Sequence, residues 1–210
     1  MEIYDISMNI NSEMAVYGNH FENRPRIETL NDHSRGVTHE SKITMNMHNG
    51  THLDAPLHMI KNGKTMDSLA LNQVITPCKV IDFTGVAERI TCADFNDKKV
   101  KQGDFLLFKT RNSFQDQFIP DFVYLDRSGA AFLKDQRISG AGIDSLGIER
   151  SQPEHETHKI LLEAGIVILE GLRLKDVEPG EYFLFAAPLK IDNVEAAPAR
   201  AVLVKGMRAD

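Results

Sequence analysis

Three of the chain's eight histidines fall within one short run, His48-Asn-Gly-Thr-His52-Leu-Asp54-Ala-Pro-Leu-His58. Imidazole nitrogens and carboxylate oxygens are ligands of borderline divalent cations, and such a site needs them to converge on one point. The spacing admits two geometries. On a helix, His48 and His52 would share a face at i and i+4. Gly50, β-branched Thr51 and Pro56 disfavour a helix here. On an extended backbone, His52 and Asp54 point to the same side because they lie two residues apart. Gly50 permits the tight turn that returns His48 to them. Past Ala55, the fixed φ of Pro56 redirects the chain around such a site and brings up His58. The bland alternative is a polar turn with incidental histidines.

A second pair lies far off in sequence. A helix from His158 to about Ala164 climbs roughly 10 Å. Gly165 then reverses the chain, and five strand residues return roughly 17 Å, ending at Glu170. The two side chains can therefore meet. A helix-start histidine and a solvated strand-end acid is the competing reading, and spacing leaves both open. His20, His33, His39 and His155 read as solvated or simply hydrogen-bonded residues.

These residues need elements to hold them. Period-2 and β-branched patterning predicts strands over Met1–Met8, Arg26–Leu30, Val37–Met47, Lys79–Phe83, Asp104–Lys109, residues 140–144, Ile166–Glu170, Phe183–Pro188 and Ala201–Lys205. Helices are predicted over Thr91–Val100, with Thr91 as cap and Asp94 at the third position, over Ser128–Asp135, with Ser128 as cap, and over Glu154–Glu163. Strands outnumber helices, and the second half alternates between them. The pattern predicts an α/β fold with a mixed sheet, in one domain spanning residues 1–210. Phe105 to Phe108 read as core, Lys109 as snorkelling or solvated, and Cys78 and Cys92 as inert.

The run His48–His58 fills all seven specified positions of H-x-G-T-H-x-D-x-P-x-H. It resembles the metal-dependent cyclase/hydrolase family, which includes bacterial kynurenine formamidase and isatin hydrolase. Gly142-Ile-Asp-Ser145, the segment His158–Glu170, Pro188-Leu-Lys-Ile191 and Pro198-Ala-Arg-Ala201 are similar to further family segments, so the resemblance runs along the chain. It implies a swivelling β/β/α fold and a divalent metal, Zn²⁺ or Mn²⁺, with two ions per subunit. His48, His52 and Asp54 would hold the first ion. Asp54 and Glu170 would bridge to a second completed by His158, and His58 would be the general acid/base. A bound ion acidifies water and polarises a carbonyl, and a nearby histidine can carry the proton to a leaving amine. The family's N-terminal tryptophan has no counterpart, as the chain has no tryptophan; Tyr17 stands there as the candidate substrate platform. Glu195-Ala-Ala197 replaces the small residues usual before Pro-x-Arg.

The resemblance implies an arylformamidase-like hydrolase of C–N bonds acting on a small molecule. It also implies a homo-oligomer, a dimer or tetramer, in which N-terminal residues reach a neighbour's site. Hydrolysis or cyclisation of a cyclic amide or lactone, and a catalytically silent metal-binding protein, remain alternatives. Composition is that of an ordinary soluble globular protein: 42% hydrophobic and 26% charged residues argue against a disordered or collagen-like chain. Twenty-four basic against thirty acidic residues, a net charge of −6 with no basic block, argue against a nucleic-acid or anionic-membrane partner. The first residues lack a cationic start and an apolar core, and no apolar run approaches a membrane span, so a cytoplasmic protein is expected.

Overall fold

The structure, a computed structural model, describes residues 1–207. In chain order its strands are β1 (Glu2–Asp5), β2 (Arg26–Asn31), β3 (Glu40–Thr44), β4 (His52–Asp54), β5 (Ile75–Asp82), β6 (Arg89–Ile90), β7 (Phe105–Lys109), β8 (Tyr124–Leu125), β9 (Gly140–Ile143), β10 (Val167–Glu170), β11 (Gly180–Phe185), β12 (Ala196–Pro198) and β13 (Val202–Lys205). The helices are α1 (Arg127–Asp135) and α2 (Glu156–Glu163). Nine strands form one mixed sheet in the order β1-β13-β11-β5-β7-β9-β10-β4-β12. The central β5, β7, β9 and β10 run parallel, and both flanks are antiparallel. Parallel strands covered on both faces read as continuous apolar runs, and all five residues of β7, Phe-Leu-Leu-Phe-Lys, are buried.

The two faces hold separate cores with the period of 2 that a strand imposes. Phe105, Leu107 and Leu169 face one cluster with Ile6, Leu184 and Leu203, so both flanks of the curled sheet share it. Leu106, Phe108 and Ile168 face the other, which α1 and α2 cover with Leu133, Leu161 and Leu162. Each large apolar side chain fully buried there contributes about 1.5–3 kcal/mol.

The α/β mixed sheet follows the expectation; several elements differ from it. Thr91–Val100 is not a helix but a single 3-10 turn, Cys92–Phe95. The Asp94 carboxylate accepts from the Thr91 N–H and hydroxyl, closing the turn locally, and Phe95 anchors it against Phe83, Phe108 and Phe132. The cap of α1 is Asp126, which accepts from the Gly129 N–H, while Ser128 donates to Asp126 and accepts from the Cys92 N–H. Strand Val37–Met47 shrinks to β3, which pairs only with β2 in a hairpin outside the main sheet. Lys109 is neither snorkelling nor solvated: its buried Nζ donates to the Lys175 and Val177 carbonyls. Burial pushes the Cys78 thiol up to about 12, which keeps it protonated and unreactive. Among the described residues, no helix is long and apolar enough to cross a membrane.

Candidate metal centre

Strand β4 lies between β10 and β12, antiparallel to both, with His52 opposite Glu170 and Asp54 opposite Ile168. Leu53 therefore turns into the core, while His52, Asp54 and Glu170 share the face that carries the helices. The residues before β4 explain the rest of the motif. Gly50 takes φ +73 in the turn, a conformation costly for other residues. The Thr51 hydroxyl donates to the Gly171 carbonyl at 2.6 Å and accepts from the Met8 N–H at 2.8 Å, pinning the turn to β10 and to the N-terminal segment. Pro56 opens a 3-10 turn, Pro56–His58, whose fixed φ brings His58 back over the site.

The five ligand candidates, from two distant segments of the chain, converge. His48 Nδ1 is 3.1 Å from Asp54 Oδ1 and 3.2 Å from His52 Nε2. His52 Nε2 is 3.6 Å from Asp54 Oδ1 and 3.3 Å from Glu170 Oε2. His158, on the first turn of α2, sets Nε2 3.5 Å from Asp54 Oδ2 and 3.3 Å from Glu170 Oε1. The Gly50 carbonyl lies 2.9 Å from His52 Nδ1, which places the hydrogen on Nδ1 and leaves the Nε2 lone pair facing the cluster. His58 is half-buried beside them, its ring centroid 4.2 Å from that of His48 and 5.6 Å from that of His158. His48, Asp54 and His58 also offer ligand atoms within 4.8 Å of one another, as do His52, Asp54 and Glu170.

The donor set fits a divalent cation. Both Asp54 carboxylate oxygens are buried and find no hydrogen-bond donor among the described residues. A buried carboxylate without donors is severely penalised unless a cation faces it. Burial favours the neutral acid, yet His158, His48 and His52 hold Asp54 well below the usual carboxylate range. Burial and the Asp54 charge raise Glu170, but His158 and His52 outweigh them and bring it to about 2. Conversely, burial lowers His52, and Glu170 and Asp54 reverse it to about 9. The carboxylates and imidazoles thus shift one another in opposite directions, as closely packed groups of opposite charge do. Burial lowers His58, with the His48 and His158 charges also lowering it and those of Asp54 and Glu170 opposing.

The cluster floors a cavity of about 300 Å³, within the range of small-molecule sites. Tyr17 is on its wall, half-exposed, its ring 5.1 Å from Phe118 and 6.2 Å from Phe122 by centroid. The cavity is also lined by Glu149 and Arg150, which the sequence does not single out, and by His155, expected to be solvated or simply hydrogen-bonded. His155 takes the hydrogen-bonded alternative: its Nδ1 lies 2.6 Å from Glu149 Oε1. The His155-x-x-His158 spacing at the start of a helix was the one available signal, and Glu149 had none.

The model of the Cyclase family matches residues 4–150. The chain is 31% identical over 206 residues to the kynurenine formamidase of Salinibacter ruber, an alignment covering 97% of each protein. A solved structure described as a potential metal-dependent hydrolase with cyclase activity superposes with a TM-score of 0.91 at 47% identity, covering 96% of each chain. Isatin hydrolase A from Labrenzia aggregata has a TM-score of 0.81 at 24% identity, over 97% of this chain and 93% of that one, a likeness of fold. The fold, the convergent residues and these relatives lead to one conclusion: the chain belongs to the Cyclase family and is a hydrolase.

Proposed function

We propose that this hydrolase is arylformamidase-like, cleaving the C–N bond of an aryl formamide with divalent metal held by His48, His52, Asp54, His158 and Glu170. The observation that carries the reading is the Asp54 carboxylate, buried and without a hydrogen-bond donor among the described residues, at the centre of three imidazoles. When bound, the metal supplies a nucleophile at neutral pH and polarises the substrate carbonyl. Zn²⁺ and Mn²⁺ both suit nitrogen and oxygen donors. Two ions are supported by how the carboxylates divide. Asp54 Oδ1 faces His48 and His52 while Oδ2 faces His158, and Glu170 splits likewise between His52 and His158.

The chain's own groups supply the rest. His58 takes a proton from the attacking water and returns it to the departing amine nitrogen, so that formate and a free arylamine leave. Tyr17, backed by Phe118 and Phe122, offers an aromatic wall for the aryl ring. The relatives named kynurenine formamidase support an N-formylkynurenine-type substrate. Residues 1–210 would act as one cytoplasmic domain, assembled as a homo-oligomer through the exposed β2–β3 hairpin.

Elemental analysis of the purified protein, followed by turnover on formyl-anilines, cyclic imides and lactones with and without chelator, tests this. Stoichiometric metal and chelator-sensitive release of formate from formyl-anilines is the expected result. Turnover restricted to cyclic substrates would replace the reading with a ring-opening one. Bound metal with no turnover on any class would make the protein a silent binder.

A further inference from the structure

Glu149 is a buried acid that the reaction above does not use. Its Oε2 accepts the His158 backbone N–H at 3.2 Å. Its Oε1 lies 2.9 Å from His158 Nδ1, off the ring's N–H axis, and 2.6 Å from His155 Nδ1. His158 Nε2, on the far side of the same ring, is the atom that faces Asp54 and Glu170. One imidazole therefore joins Glu149 to the metal cluster.

We infer that Glu149 is a positioning residue: it keeps the hydrogen of His158 on Nδ1, so that Nε2 presents its lone pair to the cation, while His155 clamps the same carboxylate from the pocket rim. The inference rests on the metal reading of the site. A neutral imidazole carries one N–H and one lone pair, so a ligating Nε2 requires the hydrogen on Nδ1 and an acceptor to receive it. An ionised carboxylate is an acceptor only, so its charge 2.9 Å from Nδ1 favours a hydrogen there over a lone pair. His155 holds a left-handed backbone at φ +53, uncommon for a residue with a side chain, directly before α2. Its contact with Glu149 occupies the oxygen that would otherwise be free to swing toward the ligands.

A carboxamide cannot substitute. With its oxygen toward the two imidazoles, its NH₂ opposes the His158 backbone N–H, donor against donor. Flipped, its NH₂ opposes both Nδ1 atoms and favours imidazoles with the hydrogen on Nε2, the tautomer that cannot ligate. Glu149, His155 and His158 also lie close enough to hold an ion of their own. That arrangement would spend His158 Nδ1 and aim an N–H at Asp54 and Glu170.

The test is the affinity of metal-free protein for Zn²⁺ and Mn²⁺, measured by competition with a chromophoric chelator, in wild type, Glu149→Gln and His155→Ala. The expected outcome for Glu149→Gln is an affinity 10- to 100-fold lower, the usual effect of removing a ligand's supporting partner, with the number of ions at saturation unchanged. His155→Ala should keep the same number of ions and lose less affinity than the Gln variant. Equal affinity in wild type and Glu149→Gln would overturn the inference. So would the loss of one ion in His155→Ala, which would assign a separate ion to that trio. Should the Gln variant not fold, ¹⁵N imidazole shifts of the metal-loaded wild type decide: His158 must bear its hydrogen on Nδ1, and ligation through Nδ1 overturns the assignment. A wild type that binds neither ion would overturn the metal reading itself, and this inference with it.

Discussion

At the scale of single residues, the site depends on which atoms are left without partners. Most buried polar side chains here are satisfied; the Asp144 carboxylate, for instance, accepts from the Thr110, Ser113 and Asn112 side chains. Asp54 accepts from none among the described residues, and its oxygens are aimed at imidazole nitrogens instead. His58 lies on a 3-10 turn, whereas His52 is on β4 and His158 on α2. That turn sets its ring 4.2 Å from that of His48 and 5.6 Å from that of His158 by centroid, beside the proposed ligands. His58→Ala should therefore retain wild-type metal content by elemental analysis while turnover falls about 10²- to 10⁴-fold, the usual worth of a positioned acid/base. Metal lost together with activity would make His58 a ligand, and near-normal turnover would remove it from the reaction.

At the scale of elements, the decisive event is the insertion of three-residue β4 between β10 and β12. Its register puts His52 opposite Glu170, and the contact is tight at the next residue. Gly171 has φ +68, and a Cβ there would come within 2.3 Å of the Gly50 carbonyl oxygen, in the turn that carries His48. Backbone rather than a flexible side chain opposes it, so the turn must move. Gly171→Ala should cost about 1–3 kcal/mol of stability, as overpacking commonly does. A lower urea midpoint would be accompanied by weaker metal binding, since the displaced turn takes His48 away from Asp54. An unchanged midpoint and affinity would show that β4 and β10 do not depend on this close approach.

At the scale of the molecule, the β2–β3 hairpin stands apart. Among the described residues it pairs with no other strand, and Ile27 sits directly opposite Ile43, both half-exposed, with Leu30 exposed and Val37 almost fully so. An isolated two-stranded hairpin is marginally stable alone in water. An exposed apolar pair on such a hairpin is what a contact between copies would cover. Sedimentation velocity should show a dimer or larger species for the wild type. Ile27→Lys combined with Ile43→Glu places opposite charges across the ladder, which supports the hairpin while removing its apolar face. That double variant should sediment as a monomer with an unchanged far-ultraviolet spectrum. An unaltered sedimentation coefficient would move the interface elsewhere.

Local patterning made the ligand candidates and most central strands legible, because strand alternation and the Gly50 turn are properties of a few neighbouring residues. His52 and Asp54 on one side with Leu53 between them is period-2 geometry, and the helix–reversal–strand from His158 to Glu170 is an arithmetic of rises. The short elements were not legible. Whether Thr91–Val100 becomes a helix or one 3-10 turn depends on Phe95 finding Phe83, Phe108 and Phe132, contacts set by other parts of the chain. Glu149 and His155 lie in a loop without periodicity, so only the approach of α2 to the segment after β9 shows that they meet His158. The sequence by itself determined which atoms can ligate and which way each strand turns them. The tertiary structure alone decided which acids and imidazoles share one buried volume, because that depends on β4 entering the sheet between β10 and β12, a long-range pairing that no local pattern encodes.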